Sequence, residues 1–76
     1  MKKLTQEVFK GAPDWVKSAA VDSGGAAWGY SDPKSKLMVG KRDWYSGSQV
    51  SDIWLFDGDF DTTNWQNSAI DREVNQ

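Results

Sequence analysis

A chain of 76 residues with no Cys and no His is one small domain. It has no disulfide staple, no thiolate metal site, no imidazole base and no serine or cysteine triad of the usual kind. The net charge of −2 is unevenly divided: residues 1–40 carry six Lys against four acids, and residues 41–76 carry three basic residues against seven acids. Neither half holds a run of Lys and Arg able to grip phosphates, so direct nucleic-acid binding is not expected.

So short a chain buries only about 60 % of its unfolded surface. The five Trp, three Phe and two Tyr are the expected compensation, at roughly 150–250 Å² each. Met1-Lys2-Lys3-Leu4 opens into a polar segment, unlike the apolar stretch of a signal peptide. No apolar run approaches the roughly 18 residues of a membrane span. A cytoplasmic protein with no membrane partner is the expectation.

Thr5-Gln6-Glu7 predicts a short N-terminal helix, with Thr5 as its cap and Glu7 near its positive end. Gly11 and Pro13 end it, and Leu4 and Phe9 are expected to pin it. Lys2, Lys3 and Lys10 read as a solvated edge. From Trp15 the chain alternates, which predicts a strand over residues 16–21, with a helical turn as the alternative. Asp22-Ser23-Gly24-Gly25 is a turn, and residues 26–30 are the returning strand of a hairpin. Trp28 and Tyr30 share one face of it. The small Ala27 and Gly29 on the other face invite close approach by another element. After Ser31-Asp32-Pro33-Lys34-Ser35, residues 37–40 predict a third strand. The stretch from residue 40 to 51, with its Ser46-Gly47-Ser48-Gln49 tract, is the part least determined by local pattern.

Ile53-Trp54-Leu55-Phe56 predicts a strand covered on both faces, stopped by Asp57-Gly58. Thr63-Asn64-Trp65-Gln66 reads as a capping box. It opens a helix over residues 64–73, with Trp65, Ala69, Ile70 and Val74 as its apolar stripe. The fold expected is α+β: a small antiparallel three- to four-stranded meander, a short N-terminal helix, and a C-terminal helix packed on the sheet. Trp15, Trp28, Trp54 and Trp65 are assigned to the core, and Arg72 to a solvated helix face.

Two clusters carry whatever chemistry the chain has. Asp57, Asp59 and Asp61 match the first three ligand positions of an EF-hand loop. Thr62 then stands where Gly is needed and Ser68 where a bidentate Glu is needed, so the motif fails twice. A solvated turn favouring the next helix N-terminus is the preferred reading, ahead of a weak cation site or an acidic surface imitating nucleic acid. With Asp52, these residues are also candidates for a glycosidase-like carboxylate pair, for which 76 residues leave little room. Trp44 and Tyr45 beside Lys41 and Arg42 form the second cluster, an aromatic–Arg combination enriched at interface hot spots and able to stack on a ring. The competing reading places Trp44 in the core.

Val8-Phe9-Lys10-Gly11-Ala12-Pro13-Asp14-Trp15-Val16 through Ala19-Ala20-Val21-Asp22, with Trp28 and Tyr30, forms one stretch of a resemblance. Phe60-Asp61-Thr62-Thr63-Asn64-Trp65-Gln66-Asn67-Ser68-Ala69-Ile70 forms the other. Together they resemble a family of small, mostly uncharacterised proteins of tailed phages and prophages, with residues 32–50 matching least. The resemblance brings no activity and no site residues. It implies a phage or prophage origin and expression inside a bacterium. The expectation is a non-enzymatic module without a cofactor that binds and modulates a bacterial host protein. The alternative is a nucleotide-like small-molecule binder acting in counter-defence. Exposed strand edges leave a homodimer open.

Overall fold

The computed structural model describes residues 2–46 and 53–73; the tract at residues 47–49, Asp52 and Val74 lie outside them. Strand β1 (Ser18–Val21) runs through the middle with all four residues buried. Its composition explains this. Ser-Ala-Ala-Val presents only small side chains, so both faces of the strand accept close neighbours. Ala19 and Val21 meet the layer holding Phe9, Val16 and Phe60. Ala20 meets Tyr30 and Leu37 on the other side. The Ser18 hydroxyl donates to the Asp32 carbonyl at 2.5 Å, which removes the cost of burying it.

The Asp22 turn forms as its residues predict. One carboxylate oxygen accepts the amides of Gly24 and Ala26 at 2.9 and 3.1 Å, and the other accepts the Trp28 indole N–H at 3.0 Å. Strand β2 (Ala27–Tyr30) returns antiparallel, in a register running from Ser18↔Tyr30 to Val21↔Ala27. The chain then leaves the sheet. A 3₁₀ turn at Lys34–Lys36 leads into β3 (Leu37–Val39), which pairs with β4 (Trp44–Ser46) as a separate two-stranded sheet. The hairpin lies over Ala20, Trp28 and Tyr30, with Leu37 and Trp44 as its contacts. Strand β5 (Ile53–Asp57) rejoins the first sheet beside β2, and β6 (Ile70–Asp71) beside β1, giving the order β5-β2-β1-β6.

The expected meander is therefore corrected. The large rings of Trp28 and Tyr30 need a cover, and β3 and β4 supply it from above instead of extending the sheet sideways. The helices are corrected too: the described residues contain only 3₁₀ turns. The N-terminal one, Gln6–Phe9, receives no side-chain bond from Thr5.

No helix forms over residues 64–73. Thr63 turns back instead of capping, and its amide and hydroxyl both donate to Asp61, at 2.9 and 2.7 Å. A 3₁₀ turn at Trp65–Asn67 follows. Ser68 then accepts the Val21 amide at 2.8 Å and donates to the Trp65 carbonyl at 2.7 Å. The outer edge of β1 is buried and must be hydrogen-bonded. Ser68 and β6 meet that demand, and it outweighs a helical preference of a few tenths of a kcal/mol per residue.

Candidate functional site

Lys41, Arg42, Trp44 and Tyr45 do not form one binding face. Alternation along β4 separates the two aromatics. Trp44 turns inward against Ala20, Tyr30 and Leu37, and its indole N–H donates to the Trp65 carbonyl at 3.0 Å. Tyr45 stands opposite Met38, and both are exposed. Lys41 and Arg42 lie exposed in the turn, where the Arg42 carbonyl accepts the Ser23 amide at 2.9 Å.

Tyr30, under the hairpin, donates its hydroxyl to the Trp44 carbonyl at 3.3 Å. Burial, with Asp43 and Asp22 adding to it, pushes its pKa from 10.0 up to about 12. A phenol whose pKa is raised by folding adds stability that is complete below pH 10 and lost as pH rises toward 12. Alkaline titration followed by circular dichroism is expected to show this loss, and Tyr30→Phe to shrink it.

Two carboxylates of the central stretch, Asp57 and Asp61, are used by the fold. Asp57 forms an ion pair with Lys2 and also accepts the Gly58 amide at 2.6 Å. The Lys2 bond, the largest influence, and the Gly58 amide hold its pKa below the ordinary 3.8. Asp61 is lowered in the same way by the Thr63 hydroxyl and amide. Asp59 is exposed, and its carbonyl accepts the Lys2 amide at 3.3 Å. Among the described residues no three carboxylates converge on a point where a metal ion could sit.

Stability from groups lowered by folding is present above the ordinary pKa of 3.8 and disappears as pH falls through the lower, folded value. Thermal melts between pH 7 and pH 2 are expected to drop on the acid side. Asp57→Asn reduces that drop, and salt weakens the contribution because the pair is exposed.

The arrangement that does gather unused chemistry is elsewhere. Residue 2 forms a parallel bridge with Phe60, and the Lys2 carbonyl accepts the Asp61 amide at 2.7 Å. This lays the N-terminal segment along the end of β5. Between the two runs an open groove of about 530 Å³, with Lys2, Lys3, Lys10 and Glu7 around it and Trp54, Phe56 and Phe60 in its walls.

Strand β5 itself is exposed, which corrects the expectation of cover on both faces: Ile53, Trp54 and Leu55 are 52 %, 40 % and 53 % accessible. Trp54 is therefore not a core residue. A bulge sets Asp57 opposite Ala27 but Leu55 opposite Trp28, and Phe56 turns inward to meet the Phe9 ring edge-on at 5.9 Å. The β3–β4 hairpin covers the β1 and Tyr30 region and stops short of β5. Among the described residues β5 pairs on one side only, with β2.

Sequence reasoning missed this site because a four-residue apolar run reads alike at a buried centre and at an exposed edge. The lysines, scattered over residues 2–10, give no cluster signal. Among the described residues no helix is long and apolar enough to cross a membrane. Comparison with protein-family models, with curated proteins and with solved structures finds no match.

Proposed function

We propose that this chain is a non-enzymatic interaction module of phage or prophage type, which binds and modulates a bacterial host protein through β5 and the groove beside it. One observation carries the proposal: three large apolar side chains, each at least 40 % accessible, sit together on an edge strand. A five-residue edge of this kind, without Lys or Pro, is normally blunted unless it is used. Adding a strand from a partner satisfies both its backbone and its side chains. The bacterial host as source of the partner comes from the phage-type resemblance of residues 8–22 and 60–70. The lack of His and Cys favours binding over catalysis.

The test is a pull-down from bacterial lysate with wild type and with the Ile53→Lys, Leu55→Lys double variant. Both positions are exposed, so the variant is expected to fold. One host protein, kept by wild type and lost by the variant, is the expected result. Identical captures from both proteins remove the reading.

A second reading rests on the groove. Its volume lies within the roughly 300–1,000 Å³ of small-molecule sites, and lysines beside the Trp54 ring suit an anionic aromatic ligand such as a nucleotide. A thermal-shift panel of nucleotides separates the two readings, since a ligand of the native state raises the melting temperature.

A further inference from the structure

We infer that the edge of β5 accepts an extended peptide in which apolar and acidic residues alternate, added as the next strand of the sheet. This rests on the interaction reading and names the chemistry of the partner segment.

Cross-strand partners share a face, so the pairs Tyr30↔Ile53 and Trp28↔Leu55 place Ile53 and Leu55 on one face of the sheet. The pair Gly29↔Trp54 places Trp54 on the other, the face of the lysine groove. A strand laid beside β5 sends alternate side chains to these two faces. One set lies next to Ile53 and Leu55 and gains by being apolar. The other set lies next to Trp54, where Lys3 and Lys10 stand in no ion pair among the described residues. Carboxylates in that set complement them. Two acids also line the groove: Asp57 is held by Lys2, and Glu7 offsets one of the remaining two lysines, which leaves the groove one positive charge in excess.

The same geometry disfavours a second copy as the occupant. An antiparallel two-fold pairing of β5 with itself continues each face into the same face of the other copy. It brings two lysine-lined grooves together, and like charges facing each other across a sheet are destabilising.

The experiment titrates the full chain with two acetylated, amidated nine-residue peptides, one alternating Val with Glu and one alternating Val with Lys. Binding is followed by calorimetry and by backbone amide shifts. The Val–Glu peptide is expected to bind about tenfold tighter than the Val–Lys peptide, to perturb the β5 amides and to weaken with salt. The Lys3→Glu, Lys10→Glu double variant, changed only at exposed positions, is expected to reverse the preference.

Equal affinity for the two peptides, or binding of neither, overturns the inference. So does a wild-type dimer in sedimentation that Leu55→Lys dissociates, because the edge then belongs to a second copy. If neither peptide binds while a host protein is still captured by wild type and lost on Ile53→Lys, Leu55→Lys, the alternating acidic strand is wrong and the interaction reading stands.

Discussion

Arg72→Ala is expected to cost about 2–3 kcal/mol of folding stability, because it removes several bonds from one charged donor to backbone carbonyls. One guanidinium nitrogen donates to the carbonyls of Pro13 at 2.8 Å and Val16 at 3.1 Å, and the other reaches Phe9 at 3.4 Å. The cation also lies 5.6 Å from the centre of the Phe9 ring. Its own amide donates to the Lys17 carbonyl at 2.8 Å, so the residue ties the C-terminal end to both the N-terminal turn and β1. The Phe9 and Pro13 carbonyls keep the Ala12 and Val16 amides as donors, at 3.0 and 3.1 Å, so the main loss is the charge-assisted bonds themselves. For a domain of this size the change corresponds to a fall in melting temperature of roughly 10–20 °C. Arg72→Lys is expected to recover less than half of it, since a single ammonium cannot span three carbonyls as the planar fork does. A calorimetric melt that moves by less than about 3 °C for the Ala variant would show that the clamp is dispensable.

Gly29→Ala is the second large effect, and it acts by overpacking. A Cβ built at residue 29 would lie 2.8 Å from Val16 Cγ1 and 2.9 Å from Phe56 Cε2. Neither neighbour can retreat cheaply. Val16 is fully buried, and the Phe56 ring is held edge-on against Phe9. Inserting a methyl into such a space costs about 1–3 kcal/mol, or roughly 5–20 °C in melting temperature. Phe56→Leu in the same chain is expected to return part of the loss, a coupling that a double-mutant cycle measures. If Gly29→Ala melts with wild type, the Val16 and Phe56 contacts are looser than they stand here.

These two residues mark where sequence reasoning succeeds and fails. Gly29 was legible: a small residue among aromatics on a strand predicts a close approach, and Val16 and Phe56 make it. Arg72 was not. Between Asp71 and Glu73 it looks like a surface charge, and nothing local says that three carbonyls from residues 9–16 will converge on it. The candidate site divides in the same way. Lys41, Arg42, Trp44 and Tyr45 are adjacent in sequence, but alternation along β4 turns Trp44 inward and leaves Tyr45 outside. Trp54 is more than forty residues from Lys2, Lys3 and Lys10, yet all four line one groove.

By itself the sequence determined the Asp22 hairpin, the strands on either side of it and the absence of thiol and imidazole chemistry. Each of these depends on residue type or on hydrogen bonds within a few positions. Tertiary structure decided that β3 and β4 lie over the sheet, that residues 64–73 complete the edge of β1 instead of coiling, and that β5 stays exposed. A local pattern states which side chains want cover. Which of them receive it depends on the area the rest of the chain can supply. Here the needs of β1, buried on both faces and hydrogen-bonded on both edges, used that cover first and left the apolar edge of β5 in water.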